Sequence, residues 1–146
     1  MAQAASSTLG VAFLIDKGGN SFISGVSGSG GTTRFGGIGQ GGSSGLRAHP
    51  WLNNPSLYGG LSYLLLEDGN NRLKTVWLGQ GSAYFLSAGI LVAEGSHDTF
   101  EADYDAQGQG LHLAAGILLK KGGDNHFNGG WGSLGVAGDR SIGMFI

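Results

Sequence analysis

Apolar residues along the chain fall into two kinds of run. One is a continuous aliphatic stretch, clearest in Leu111-His112-Leu113-Ala114-Ala115-Gly116-Ile117-Leu118-Leu119, whose length and apolarity predict a strand covered on one or both faces. The other alternates. Leu73, Thr75 and Trp77, then Phe100, Ala102 and Tyr104, then Phe127, Gly129 and Trp131, define one face, while Lys74, Glu101, Asp103 and Asn128 define the other, the mark of a half-buried strand. Glycine recurs within or beside every run, and at ~1 kcal/mol each in a helix this argues for strands.

The two runs form a unit that repeats. Gly89 to Phe100 overlies Gly116 to Phe127 without a gap at a spacing of 27 residues, and Gly143-Met144-Phe145-Ile146 begins a further copy. Leu64 to Leu73 is the preceding copy, and Phe13 to Phe22 is another, with Phe22 lying 51 residues before Leu73. That gap is nearly two periods, so residues 25–59 read as one irregular coil and the whole as a single domain, 1–146, of about five coils. The turn between the runs has the form [Asp/Glu/Lys]-x-Gly-[Gly/Asn/Ser], in which glycine supplies a positive φ.

Stacking the copies gives columns: Phe22, Leu73, Phe100 and Phe127; Val26, Trp77, Tyr104 and Trp131; Asn20, Asn71, Asp98 and Asn125. Two architectures fit. In a parallel β-solenoid, residues of one column lie ~4.8 Å apart, so rings stack and amides bond from coil to coil. In an antiparallel meander or barrel, each copy is a β-hairpin. The solenoid fits better, because fixed spacing also brings the distant Gln80-Gly81 and Gln107-Gly108 into line with Gly135.

The pattern Leu-x-[Asp/Glu]-x-Gly-Gly-Asn-x-Phe followed by Gln-Gly-x-Gly resembles the glycine-rich tandem repeats of uncharacterised bacterial proteins, over most of the chain outside residues 25–59. That resemblance implies a secreted or cell-surface β-repeat protein and brings no catalytic residue with it. Pro50 and Pro55 depart from the pattern.

Composition narrows the picture further. Glycine makes up 31 of 146 residues, yet 40% of the chain is hydrophobic, too much for a disordered linker, and two prolines exclude collagen. The chain is long enough to bury roughly two-thirds of its unfolded surface. A net charge of −2 supplies no basic face for nucleic acid, the absence of cysteine removes thiolate chemistry, and no apolar run reaches the ~18 residues of a membrane helix. The N-terminus, Met-Ala-Gln-Ala-Ala-Ser-Ser-Thr, lacks the pattern of a signal peptide.

Candidate chemistry is sparse. Glu101, Asp103 and Asp105 place three carboxylates on one strand and are the candidate Ca²⁺ ligands, although the next coil offers Asn128, Gly130 and Gly132 instead and no ligand column forms. No other cofactor is expected. The histidines at 49, 97, 112 and 126 share no column, and Glu67-Asp68 point to opposite faces of a strand, against glycosidase work. Glycine strings such as Gly39-Gln40-Gly41-Gly42 lack the Lys-[Ser/Thr] ending of a phosphate loop and read as close-packed coil corners. The expected class is non-enzymatic.

The ends carry the functional expectation. The chain opens on Leu9, Val11 and Phe13 and closes on Met144, Phe145 and Ile146 as strands without guarding charges, and unpaired strand edges recruit further chains. A structural protein associating with itself end to end is therefore expected, in a filament if the contact does not close. A carbohydrate-binding module using Trp51, Asn53, Asn54 and Tyr58 is the alternative, and a fragment of a longer surface repeat protein explains the open ends equally.

Overall fold

The computed structural model describes residues 3–25, 38–48, 51 and 55–146. These contain thirteen strands and no helix: β1 (Val11–Asp16), β2 (Phe22–Gly25), β3 (Ser43–Ser44), β4 (Leu61–Leu66), β5 (Arg72–Trp77), β6 (Ala83–Tyr84), β7 (Ala88–Ala93), β8 (Thr99–Tyr104), β9 (Gly110–Leu111), β10 (Ala115–Lys120), β11 (His126–Trp131), β12 (Ala137–Gly138) and β13 (Ile142–Phe145). They form three parallel sheets, in the orders β1-β4-β7-β10-β13, β2-β5-β8-β11 and β3-β6-β9-β12. The protein is a three-sided β-solenoid, and the hairpin alternative falls because every strand pair is parallel.

Three turns of 27 residues separate β4, β7, β10 and β13, whose first residues Leu61, Ala88, Ala115 and Ile142 stand in register. The first coil differs from the sequence reading. Val11 pairs directly with Leu61, an offset of 50, so no strand separates β1 from β4 in the first sheet, and β3 within residues 25–59 belongs to the first coil. From β2 to β3 the chain advances 21 residues against 11 in the next coil, and from β3 to β4 it advances 18 against 5, so this is a regular coil with about ten and thirteen residues inserted at two places. Val26 and most of the first insertion, with His49, Pro50, Asn53 and Asn54 in the second, lie outside the described residues.

An offset of 50 rather than 51 moves each column by one residue in the first coil, which exchanges the faces of a strand. Ile23, not Phe22, pairs with Leu73 and is buried, while Phe22 is 66% exposed with the Arg72 guanidinium over its ring. In the turn column Ser21, not Asn20, precedes Asn71. There each side-chain oxygen accepts from the backbone of the coil before it: Ser21 N–H donates to Asn71 Oδ1, Asn71 N–H to Asp98 Oδ1 at 2.7 Å, and Asp98 N–H to Asn125 Oδ1 at 2.9 Å.

The core lies between the first two sheets. Leu64, Leu66, Leu91 and Leu118 meet Ile23, Leu73 and Phe100, and Phe100 stacks on Phe127 with centroids 4.7 Å apart and planes 6° off parallel. Trp77, Tyr104 and Trp131 do form a column, but outside the core: Trp77 and Tyr104 are half-buried and Trp131 is exposed. The reason is the left-handed turn at Leu78 and Asp105, which buries Leu78 in place of the ring before it.

The third sheet, absent from the sequence reading, is held by glutamines. Gln40, Gln80 and Gln107 are fully buried in the left-handed conformation, and each is followed by a left-handed glycine. Gln80 Nε2 donates to Leu73 O of its own coil and Glu101 O of the next, and Gln40 and Gln107 repeat the bridge. A non-glycine residue in this conformation costs roughly 1–2 kcal/mol, against which stand the two hydrogen bonds of each Nε2, while each Oε1 is buried without a hydrogen-bond partner among the described residues.

Candidate functional site

Among the described residues no strand lies beside the first sheet at either end of the stack. At the first end, Leu61 N–H donates to Gly10 O and Glu67 N–H to Asp16 O, so the even-numbered residues of β1 turn toward β4 and the backbone groups of Val11, Phe13 and Ile15 face outward along the free edge. Leu9 is not on that edge. It lies before β1 in a left-handed conformation, with its N–H bonded to Tyr58 O and Gly59 O. At the other end, Ile142 N–H donates to Ala114 O just before β10 and Ile146 N–H to Leu118 O within it, which leaves the backbone of Gly143 and Phe145 on the free edge of β13. Phe145 continues the core column, its ring edge-on to Phe127 at 4.8 Å, while Met144 points outward in line with Ile117.

One inward column is charged oppositely at its two ends. It runs Asp16, Leu66, Ala93, Lys120. Asp16 accepts from Gly18 N–H and the Ser21 hydroxyl. Lys120 is buried and donates to Gly95 O, Lys121 O and Gly122 O, with Asp98 Oδ2 at 3.3 Å.

The three acidic candidates are not brought to one point. Glu101 pairs with Arg72 at 2.8 Å and Lys74 at 3.4 Å, and the Arg72 guanidinium holds its carboxyl below the usual range. Asp103 is exposed on the outer face. Asp105 sits at the corner and accepts from Trp77 Nε1 at 3.1 Å, and partial burial raises its carboxyl above the ordinary value despite that bond. Among the described residues no group of three or more His, Asp or Glu could hold a metal ion. Of the candidate ligand loop, Trp51 and Tyr58 are both exposed, and Asn53 and Asn54 lie outside the described residues.

Two features escaped the sequence. The first is an open cleft of about 430 Å³ lined by Arg47, Phe85, His112, Leu113, Asp139 and Arg140. His112 bridges it, Nδ1 meeting Asp139 and Nε2 meeting Arg47 Nη1 at 3.0 Å. The histidine lies in one coil, the aspartate in the next and the arginine in the insertion, so no local spacing could reveal the group. Among the described residues its lining holds no hydroxyl nucleophile for the imidazole to activate.

The second is the outer face of the first sheet. Phe13, Tyr63, Ile90, Ile117 and Met144 form its middle row, and the flanking rows, headed by Val11 and Ile15, are likewise free of charge. Among the described residues no strand packs against that side. The signal was present: runs such as Leu61 to Leu66 are apolar at both parities, which a strand needs only if both faces meet apolar surroundings.

Among the described residues no helix is long and apolar enough to cross a membrane. Comparison with protein-family models, curated proteins and solved structures finds no match to the chain.

Proposed function

We propose that the protein is a structural subunit that assembles end to end, each copy adding its first coil to the last strands of another. The observation that carries this reading is the pair of open parallel edges, where the backbone groups of Val11, Phe13 and Ile15 at one end and of Gly143 and Phe145 at the other have no strand beside them among the described residues. Edges of this kind recruit further strands. Two inward columns match the ends to each other: the core column runs Leu14, Leu64, Leu91, Leu118, Phe145 and is apolar at both ends, and the next is acidic at Asp16 and basic at Lys120. Contact between different ends of identical copies is heterologous, so it propagates into a filament unless a rotation closes it.

Proline at an edge position whose N–H faces away from the sheet leaves the internal ladder intact and removes a donor for the next chain. Val11→Pro is expected to keep the native circular dichroism spectrum and to abolish concentration-dependent pelleting of the parent protein. A parent that never pellets, or a folded Val11→Pro variant that pellets like it, overturns the reading.

A further inference from the structure

We propose that the outer face of the first sheet is a lateral interface, covered by the same face of a second copy across a two-fold axis. Register along β1, β4, β7, β10 and β13 is unshifted, so the side chains stand in straight rows that cross the strands. Ridges one strand spacing apart on one copy then fit the grooves of an identical surface, which makes the face complementary to itself. Its charge lies at the margin, where Lys121 Nζ meets Glu94 Oε1 at 2.6 Å. An uncharged centre with a charged rim is the pattern of a protein interface.

Area favours a second copy. Five strands about 4.8 Å apart and up to six residues about 3.3 Å each give a footprint of about 24 by 20 Å, so two faces together remove about 1,000 Å², the lower bound for a specific interface between two proteins. Two such sheets pack face to face about 10 Å apart, as in a sandwich. A lipid surface fits less well, because the lysine at the margin, Lys121, is neutralised by Glu94 and gives no basic rim for anionic headgroups. The inference does not depend on end-to-end stacking, since Ile90 and Ile117 lie at the middle of the face, away from both open edges.

The test uses sedimentation velocity on a Ser24→Pro variant, which blocks the free edge of β2 in the second sheet and leaves the outer face of the first untouched, and on the same variant carrying Ile90→Thr and Ile117→Thr. Threonine keeps the β-branched shape that suits a strand. The end-blocked protein is expected to sediment as a dimer at micromolar concentration, and the threonine pair to weaken the dimer by about a hundredfold through four lost aliphatic contacts. In the unblocked protein, the threonine pair is expected to leave filaments of single width where the parent forms paired ones. An end-blocked protein that stays monomeric, a dimer untouched by the threonine pair, or flotation of the monomer with phosphatidylcholine vesicles overturns the inference. Filaments lost with dimers retained would overturn the end-to-end reading alone.

Discussion

Gly116 is a buried position at which the fold leaves no room for a methyl group. Its φ is not left-handed, but a Cβ built there would lie 1.9 Å from Gln109 O and 2.5 Å from Gln109 C, on the backbone that leads into β9 of the third sheet. Ordinary contact begins near 3.4 Å, so Gly116→Ala must drive the first and third sheets apart by about 1.5 Å at this coil. Leu118, two residues on and fully buried, then loses part of its packing. A buried leucine makes about 40–60 contacts of about 0.1–0.2 kcal/mol, and gaps of about 0.5–1 Å already forfeit a quarter to a half of each, so the expected loss is about 3 kcal/mol. For a chain of 146 residues that lowers the melting temperature by about 10 °C. The control is Gly122→Ala, with open space around it but a φ of 67°, which is expected to cost only about 1 kcal/mol. Thermal and urea unfolding followed by circular dichroism measure both. The close approach of the sheets is refuted if Gly116→Ala is within about 0.5 kcal/mol of the parent, or if the two variants are equally unstable.

Three further outcomes follow from the same geometry. Ile23→Ser is expected to lose about 2–4 kcal/mol and Phe22→Ser to stay within about 0.5 kcal/mol in urea unfolding, since only Ile23 faces the core; the opposite order would restore the 51-residue register. Lys120→Met leaves the buried Asp98 carboxylate without its cation and is expected to cost about 3–5 kcal/mol by the same assay; a neutral result would mean the pair is solvated. Asp105 has a raised pKa in the folded state, so it binds its proton more tightly there than when unfolded, and the stability it adds at low pH is lost as pH rises through the folded value. Asp105→Asn is therefore expected to exceed the parent in stability at pH 7 and to match it at pH 3; a variant weaker at pH 7 would contradict the sign.

The strand, turn and strand of each coil could be read from the sequence because turn glycines and alternating positions recur together at 27 residues. Parallel stacking followed from Gln80-Gly81 and Gln107-Gly108, which a lone hairpin would not need to repeat. The first coil was misread because Phe22 resembles Phe100 and Phe127 better than Ile23 does, so aromatic likeness outweighed the true register. The two insertions add up to nearly one period, which imitated a degenerate coil. A third sheet of two-residue strands is too short to leave an alternating signature, and its anchors are glutamines, a residue type ordinarily found at the surface. Only the finished coil brings Gln80 Nε2 to two carbonyls. The assembly ends were legible as apolar and uncharged, but which residues point inward at Phe145 and outward at Val11, Phe13 and Met144 depends on the 50-residue offset at one end and on the pairing with β10 at the other.

Fibre diffraction from concentrated, aligned protein tests end-to-end stacking most directly, since strands of stacked solenoids run across the fibre. The expected result is filaments in electron micrographs with a strong meridional reflection at about 4.8 Å along the fibre axis, unbroken by the junctions between copies. Compact particles at every concentration, or fibres whose 4.8 Å reflection lies off the meridian, would contradict it.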